Sequence, residues 1–226
     1  MVTGASRGVG AASPSPSGTR GHRVRHGAQR PGGARTEGLA GTVEETAEEV
    51  TARGGKGVAV HCDHFDPAAN EALHDRISAD HGHLDLLVNN AWAGYERSAE
   101  VRFDAPFWDQ PTWRYDLMES SLRAQYDVSR QLVKLMLPRK KGLIVGISFS
   151  DGDIYLGQVA YDVFKSGSDR MAKGFAYDLR RTDITAVSLH PGFVRTERVE
   201  AAWEALGEGP AAIVHSPSTW AARCAR

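Results

Sequence analysis

Cysteine is nearly absent from this chain, with two residues of this type among 226. Cys62 and Cys224 can build neither a disulfide framework nor a cysteine-rich metal site. The nine histidines also lack the spacing of metal ligands, so we assign no metal. No apolar run approaches the length of a membrane span, and no charged and apolar leader precedes the first motif. These absences predict a cytoplasmic protein that makes no membrane contact.

An excess of either charge is missing too, since the formal net charge is −1. This balance gives no electrostatic reason to expect nucleic acid or an anionic membrane as a partner. With 226 residues, of which 41% are hydrophobic and 24% charged, the chain is long enough for one well-buried α/β domain and short for two. We therefore predict a single domain over residues 1–226.

The most informative stretch runs from Tyr161 to Lys165 and has the pattern Tyr-x-x-x-Lys. On a helix, residues four apart lie on the same face, so the phenol and the ammonium can share one site. A fixed cation close to a phenol lowers its pKa from the ordinary value of about 10 towards the range of a working proton donor. The same spacing also occurs on ordinary helices, so the pair needs further support.

A hydroxyl group lies at a suitable distance along the chain from this pair. The apolar run Gly142–Ile147 indicates a buried strand, and Ser148 follows it, thirteen residues before Tyr161. A second strand-like run, Ile184–Leu189, comes after the helix. A serine at the end of the first strand can reach the same substrate oxygen as the phenol.

The chain opens with a glycine-rich segment in which Gly4, Gly8 and Gly10 follow Thr3. Glycine lets the backbone turn tightly and bring its N–H groups, with those of a following helix, against a pyrophosphate. A glycine pattern alone is a weak signal for a nucleotide loop. The strand that should precede it is reduced to Met1–Thr3, so we expect a truncated first strand.

Residues 11–35 have a composition that suits neither an amphipathic helix nor a buried strand. They contain five Gly, three Pro and five Arg, no acidic residue, and Val24 as the only large aliphatic residue. A dinucleotide fold requires its first helix and second strand here. Back-translated GC-rich codons read in shifted frames give an apolar helix face and a strand, and residues 218–226 behave similarly. We hypothesise a frameshifted translation in both places; the alternative for residues 11–35 is a real flexible insert.

The helical pattern is regular again from Thr42. The sequence Thr42–Glu45 is a capping box, which predicts a helix that buries Val43, Ala47 and Val50 and ends at Gly54–Gly55. Strands alternate with helices from here onwards. That alternation predicts a parallel sheet covered on both faces, with ligands at the carboxyl ends of the strands.

Five motifs in chain order resemble those of the short-chain dehydrogenase/reductase superfamily. They are Thr-Gly-x-x-x-Gly-x-Gly at residues 3–10, Asn89-Asn90-Ala91, Ser148, Tyr161-x-x-x-Lys165 and Pro191-Gly192. Within it, residues 89–94 and 142–148 most resemble the dehydrogenase/reductase member 1 branch. The resemblance implies an α/β fold with a Rossmann-type doubly wound parallel sheet, in which the first helix and second strand are disrupted.

The resemblance also implies roles for individual residues. Tyr161 is expected to be the general acid in reduction, Lys165 to lower its pKa and hold the nicotinamide ribose, and Ser148 to bind the substrate oxygen. The implied cofactor-binding residues are Gly4, Ser6, Arg7, Gly8, Gly10, Asp63, Asn89, Ala91, Lys165, Pro191, Gly192 and Thr196. Two interpretations of the carboxylate at position 63 stay open: contact with an adenine ring, or the capping of a turn.

Two positions depart from the family pattern. Trp92 replaces the glycine that commonly follows the Asn-Asn-Ala triplet, with Gly94 two residues later. Ser121 stands where the family usually has an asparagine that positions a water behind the lysine. A serine can still hold a water at this position.

The expected function is hydride transfer between NAD(P)(H) and a carbonyl or alcohol. We favour NADP because Arg7 offers a cation for a 2′-phosphate, while no acidic residue precedes Glu37 to bind a 2′-hydroxyl; NAD stays open. The alternative is a non-catalytic relic that no longer binds the cofactor. The substrate loop is expected after Thr196, where Trp203 and Leu206 are the bulky apolar residues.

The expected partners are a small carbonyl or alcohol substrate and further copies of the chain, as a homodimer or homotetramer. A long helix is predicted from about Thr112 to Leu137. With the helix that carries the tyrosine motif, it resembles the pair that this superfamily uses in dimer formation. We expect the dimer contact to bury Tyr126, Phe164 and Phe175.

Overall fold

The computed structural model describes residues 1–6, 8–12, 22–26, 41–97, 100–149, 155 and 157–201. Arg7, Trp203, Leu206 and the suspect stretch 218–226 lie outside these ranges. The chain divides into two compact units, one formed by Met1–Cys62 with Pro191–Arg226 and the other by Asp63–His190. The single domain expected over residues 1–226 stays a prediction.

The described elements alternate between helices and strands. In chain order they are α1 (Gly8–Ala12), β1 (His22–His26), α2 (Val43–Ala52), β2 (Lys56–Val60), α3 (Pro67–His81), β3 (Leu86–Asn89), α4 (Thr112–Leu132), β4 (Lys141–Ile147), α5 (Val159–Asp178), β5 (Asp183–Leu189) and α6 (Glu197–Ala201). Short 3-10 turns occur at Phe107–Asp109, Val133–Leu135 and Leu137–Arg139. All strand pairs are parallel, which confirms the predicted α/β class with a parallel sheet.

Helix α2 of the first unit begins with the predicted capping box. The Thr42 hydroxyl accepts the Glu45 N–H at 3.1 Å, and the Glu45 carboxylate accepts the Thr42 N–H at 2.8 Å. Val43, Ala47 and Val50 are buried, as their spacing predicts. Strand β2 packs closely on this helix, because Gly57 has no side chain to meet the Ala47 carbonyl.

Strand β1 corrects the expectation that no strand runs through residues 11–35. His22–His26 pairs in parallel with β2, with His22 opposite Lys56 and His26 opposite Val60. A parallel ladder is built from backbone groups, so the free edge of β2 can pair with a short segment whose centre is the β-branched Val24. Helix α1, which contains Gly8 and Gly10 of the glycine-rich segment, has five residues.

The second unit contains the three-stranded sheet β3-β4-β5. Val88, Val145 and Val187 are in register across it. Helix α4 contacts β3, and α5 contacts both α4 and the strands β4 and β5. Since the strands are parallel, their carboxyl ends lie at one edge of the sheet, and the chain leaves that edge at Asn89, Ser148 and His190.

Helix α4 ends earlier than predicted. It stops at Leu132 and passes into 3-10 turns, rather than continuing to Leu137. Pro138 explains the difference, since a proline inside a helix removes a backbone hydrogen bond and clashes with the preceding turn. None of the described helices combines the length and apolar character that crossing a bilayer requires. In the same residues, no group of three or more His, Cys, Asp or Glu side chains could hold a metal ion.

Candidate active site

Tyr161 lies in the first turn of α5, at the centre of an aromatic cluster. Its backbone N–H donates to the side chain of Gln158, which caps the helix. The residue is only 5% exposed. Four aromatic rings surround its own, with centroid distances of 5.4–6.4 Å, and they belong to Trp92, Tyr95, Phe103 and Phe149. We call these four residues the aromatic wall.

The hydroxyl of Tyr161 is hydrogen bonded within the chain, since the Tyr95 hydroxyl donates to it at 2.8 Å. Burial and the neighbouring Tyr95 hydroxyl raise the pKa of Tyr161 above its ordinary value. This direction is opposite to the lowering by Lys165 that the sequence predicted. Burial withdraws the phenolate from water and so favours the protonated phenol.

Lys165 lies one turn further along α5 and is 5% exposed. Its Nζ is 3.8 Å from the centroid of the Trp92 ring and 5.7 Å from that of Tyr161. The ammonium also donates a long hydrogen bond of 3.5 Å to the Ile147 carbonyl. Burial lowers the pKa of Lys165 to about 7, against the opposing effect of the Asp169 carboxylate. The predicted pairing of phenol and amine on one helix face is therefore present.

Ser148 leaves the end of β4 and is 1% exposed. Its hydroxyl donates to the backbone carbonyl of Lys165 at 3.0 Å, which ties the strand end to α5. Throughout the described part of the chain, no hydrogen bond joins this hydroxyl to that of Tyr161. Ser148 therefore lies beside the predicted pair, with its proton directed to the helix backbone.

The amide of Asn89 also joins a strand end to a helix. Its Nδ2 donates to the Ser129 hydroxyl of α4 at 2.8 Å, while its buried Oδ1 has no hydrogen-bond partner among the residues that the structure describes. Ala91, which follows it, is half-buried. The unpaired oxygen is the part of Asn89 that can receive a ligand donor.

Ser121, at the position of the family's asparagine, makes two hydrogen bonds within the chain. Its hydroxyl accepts the Ala93 N–H at 3.0 Å and donates to the Leu117 carbonyl at 2.7 Å. The proton that a water relay needs is thus directed to the helix backbone. Ser121 fixes the loop after β3 on α4.

Asp63 caps a turn, which was one of the two interpretations that the sequence left open. Its Oδ1 accepts the Phe65 N–H at 2.9 Å, and its own carbonyl accepts the Asp66 N–H at 3.1 Å. This geometry uses one carboxylate oxygen in local structure. The residue belongs to the connection between β2 and α3.

The glycine-rich segment of the first unit contains two of the predicted cofactor residues in left-handed conformations. Gly4 and Gly8 have φ values of 59° and 61°, which glycine adopts without steric cost. Gly10 is buried and Ser6 is half-buried. The carbonyl of Ala5 accepts the Thr46 hydroxyl at 2.8 Å, so the segment is anchored to α2.

A carboxylate already lies at this segment. The backbone N–H of Gly8 donates to Oε2 of Glu197 at 2.9 Å. A Cβ on Gly8 would come within 3.4 Å of the Thr196 side chain. The Gly8 amide therefore has the position and the freedom to receive an anionic oxygen, as the residues for a cofactor pyrophosphate should.

The remaining predicted residues follow β5. Pro191 is half-buried, and Gly192 is exposed with a φ of 73°. The Thr196 hydroxyl accepts the Val199 N–H at 3.4 Å in the first turn of α6. Pro191, Gly192 and Thr196 all belong to the first unit, with the glycine-rich segment.

Sequence reasoning missed most of the aromatic wall. Tyr95 and Phe103 lie in the connection between β3 and α4, where aromatic residues are frequent, and that enrichment was the available signal. Gly94 permits the fold of this loop, since a Cβ there would lie 2.7 Å from the Trp92 Nε1 and 2.8 Å from Met118. The Trp-x-Gly sequence that departs from the family pattern therefore allows Trp92 to pack directly on the backbone of Gly94.

Comparisons with known proteins agree with this architecture. A family model described as short chain dehydrogenase matches residues 1–207. Dehydrogenase/reductase SDR family member 1 from Mus musculus is 37% identical over 161 residues, which are 70% of this chain and 51% of that protein. The chain thus spans about half the length of the curated relative. The 3-oxoacyl-(acyl-carrier-protein) reductase FabG from Escherichia coli K12 is 29% identical over 203 residues, or 89% of this chain and 75% of that protein.

A solved structure shows the same fold. The crystal structure of a metagenomic short-chain oxidoreductase in complex with NADP superposes with a TM-score of 0.70 at 29% identity, covering 91% of this chain and 88% of that chain. Together with the parallel sheet and the residues at its carboxyl edge, these matches show that the chain belongs to the short-chain dehydrogenase/reductase family.

Proposed function

We propose that this protein is an NADP-dependent oxidoreductase that interconverts a small carbonyl compound and the corresponding alcohol. The observation that carries the proposal is the pair formed by Tyr161 and Lys165. A buried phenol and a buried amine, whose pKa is lowered to about 7, lie one helical turn apart in α5. The chain leaves the carboxyl edge of the sheet nearby, at Ser148.

The residues of the chain divide the work of reduction between them. A bound nicotinamide cofactor supplies the hydride that adds to the carbonyl carbon. The Tyr161 hydroxyl gives its proton to the substrate oxygen and regains one from the Lys165 ammonium. Ser148 is suited to hold the substrate oxygen once its hydroxyl turns away from the Lys165 carbonyl. In the opposite direction, the phenolate of Tyr161 accepts the proton of the alcohol.

The glycine-rich segment fits a dinucleotide. Gly4 and Gly8 adopt left-handed backbone angles, and the Gly8 amide already donates its N–H to a carboxylate oxygen. NADP is favoured by the cationic Arg7 and by the NADP bound in the metagenomic relative. Asn89, Ala91, Pro191, Gly192 and Thr196 stay the proposed remaining contacts.

The aromatic wall indicates the chemical class of the substrate. Rings from Trp92, Phe103 and Phe149 lie against Tyr161, so the oxygen to be protonated belongs on a molecule with an apolar or aromatic body. We propose aryl aldehydes, aryl ketones and quinones as better substrates than short aliphatic carbonyls of the same reactivity.

We also propose that the chain works as a homodimer or homotetramer. Tyr126 of α4 is 48% exposed and stacks on Phe175 of α5, with their centroids 6.3 Å apart. Phe164, in contrast, is already buried within the chain against Tyr115, so its neighbours are the residues proposed for the subunit contact. Light scattering of Tyr126→Asp beside the parent chain tests the proposal: a monomeric variant of an oligomeric parent supports it, and a monomeric parent overturns it.

A non-catalytic relic is the second candidate function. The contact between Gly8 and Glu197 favours it, since a carboxylate occupies the amide that a cofactor phosphate would need. Titration with NADPH separates the two candidates. An enzyme enhances the fluorescence of the dihydronicotinamide on binding, whereas a relic leaves it unchanged.

Replacement of Tyr161 by Phe tests the chemistry. The variant keeps the ring in the aromatic wall but loses the proton donor, so the reduction rate should fall by about 10²–10⁴-fold while NADPH still binds. Tyr177→Phe is the matched control, since Tyr177 is 66% exposed on the same helix. Activity is measured on aldehydes, ketones and quinones, both with this chain and with a version in which residues 11–35 are restored to the shifted frame. Full turnover by Tyr161→Phe would refute the assignment.

A further inference from the structure

Asp169 continues the row of functional side chains along α5. Tyr161, Lys165 and Asp169 are spaced four residues apart, so they lie one above the other on the same face of the helix. Sequence analysis assigned the first two and left Asp169 without a role. Its side chain is 23% exposed, so it lies between the buried site and solvent.

Two side chains at the end of β5 hold the Asp169 carboxylate. The Ser188 hydroxyl donates to Oδ1, and His190 Nε2 lies 2.9 Å from the same oxygen. The Oγ of Ser188 and the Nε2 of His190 are themselves 3.3 Å apart. The carboxylate therefore has fixed partners on the neighbouring strand, and its rotamer is set by the fold.

The charge of Asp169 is stabilised and acts on the lysine. Burial raises the pKa of Asp169, but hydrogen bonds from Ser188 and His190 outweigh this and lower it. An ionised carboxylate one turn away opposes the burial that lowers the pKa of Lys165. Among the described residues, no other ionisable group has a resolved effect on the lysine.

The position expected to support the lysine is not available for that role. The Ser121 hydroxyl is engaged by the Ala93 N–H and the Leu117 carbonyl. Trp92 covers the ammonium with a ring face and offers no negative charge. A buried ammonium needs a counter-charge to persist beside Tyr161 at neutral pH.

We propose that Asp169, held in place by Ser188 and His190, is the counter-ion that keeps Lys165 protonated beside Tyr161. This inference rests on the proposed function for its consequence in catalysis, but the charge coupling itself does not. Asp169 is a positioning residue, because it touches neither the substrate oxygen nor the reacting phenol. It acts by maintaining the ammonium from which Tyr161 regains its proton.

The test compares Asp169→Asn with the parent chain and with Asp178→Asn. The asparagine keeps the size and the hydrogen-bond acceptor for Ser188 while it removes the charge. Asp178 is an exposed residue at the end of the same helix, so its variant controls for a general change in charge. Circular dichroism establishes that the three proteins share the same fold.

The first readout is the pH profile of kcat/KM for carbonyl reduction. Without the carboxylate, Lys165 loses its proton at lower pH, so the alkaline limb should move down by about one pH unit in Asp169→Asn. Asp178→Asn should retain the parent profile. A purely structural role would lower the rate at every pH and leave the limb in place, and that outcome overturns the proposal.

The second readout needs neither cofactor nor turnover. Urea unfolding between pH 5 and 10 reports the lysine directly, because its native and unfolded pKa values differ. In Asp169→Asn the pH above which stability begins to rise should be lower than in the parent. If this shift is present in a chain that reduces nothing, the counter-ion inference holds and the proposed function fails. If the shift is absent, the inference fails whatever the activity.

Discussion

The Tyr95 hydroxyl donates its proton to the phenol oxygen of Tyr161 across 2.8 Å. A substrate carbonyl that is to be protonated by Tyr161 needs the same place. Tyr95 comes from the loop after β3 and Tyr161 from α5, so the contact also closes this loop over the helix. In the proposed function, the substrate therefore has to take the space beside the Tyr161 oxygen that the Tyr95 hydroxyl occupies.

Replacement of Tyr95 by Phe is expected to lower KM for the carbonyl substrate. The variant keeps the aromatic ring but removes the competing hydroxyl, and the loss of one neutral hydrogen bond corresponds to about 0.5–1.5 kcal/mol, or about two- to tenfold in KM. Steady-state kinetics with an aryl ketone measures it, with Tyr177→Phe as control. A higher KM in Tyr95→Phe would show that Tyr95 binds the substrate instead of competing with it.

Replacement of Glu197 by Gln is expected to strengthen NADPH binding. Glu197 places a carboxylate on the Gly8 N–H, where it both occupies the amide and repels an incoming phosphate. Removal of the charge should tighten the Kd by roughly five- to tenfold, which corresponds to about 1–1.4 kcal/mol. Fluorescence titration measures the Kd.

Glu200→Gln is the matched control for this experiment. Glu200 lies in the same helix but pairs with Arg195 at 3.0 Å. Equal gains in the two variants would point to a general charge effect, and no gain at Glu197 would contradict the competition.

Lys165 gives stability a predictable dependence on pH. Its native pKa is about 7, while the unfolded chain releases the same proton near the ordinary 10.5. Between these values the unfolded state binds more protons, so the free energy of unfolding rises as the pH rises through this window. At pH values below this window, the buried ammonium therefore destabilises the fold.

Lys165→Met removes this titration and should be more stable than the parent at pH 7, with no rise between pH 7 and 10 from this residue. Each 1 kcal/mol gained would raise Tm by about 2–4 °C in a chain of this size. Thermal unfolding at several pH values measures it. A variant less stable than its parent at pH 7 would mean that the attraction between the charges of Lys165 and Asp169 outweighs the cost of burial.

Two glycines should respond in opposite ways to alanine. A Cβ on Gly57 would lie 1.9 Å from the Ala47 carbonyl oxygen, so β2 and α2 must separate, at a cost of about 1–3 kcal/mol or more. A Cβ on Gly174 meets no atom within 4 Å, and alanine there should stabilise α5 by about 0.5–1 kcal/mol. Urea unfolding measures the free energy of unfolding of the two variants. Equal changes in this free energy would contradict the close packing of β2 on α2.

Much of the architecture could be predicted from local patterns. The capping box at Thr42 fixed the start of α2 because both of its hydrogen bonds are local in sequence. The strand at Gly142–Ile147 followed from its apolar run. Helix α4 was extended too far because the effect of Pro138 on the preceding turn was overlooked.

The candidate site was only partly predictable, because its details depend on contacts between distant residues. The spacing of Tyr161 and Lys165 predicts their shared face, since helix geometry sets it. The raised pKa of Tyr161 depends on burial and on Tyr95, which is 66 residues away in sequence. Strand β1 was not predicted for a similar reason. Its backbone pairing with β2 sets its extended conformation, and the local sequence pattern does not indicate a strand.

The hydrogen bond from Thr46 to the Ala5 carbonyl connects helix α2 to the glycine-rich segment. Thr46 is buried in α2, and its hydroxyl also reaches the Thr42 carbonyl. The conformation of the glycine-rich segment thus depends in part on a residue forty-one positions away. Because the acceptor is a backbone carbonyl, a change at position 46 should alter the segment whatever residue stands at position 5, and a search for affinity mutants confined to the segment would overlook it.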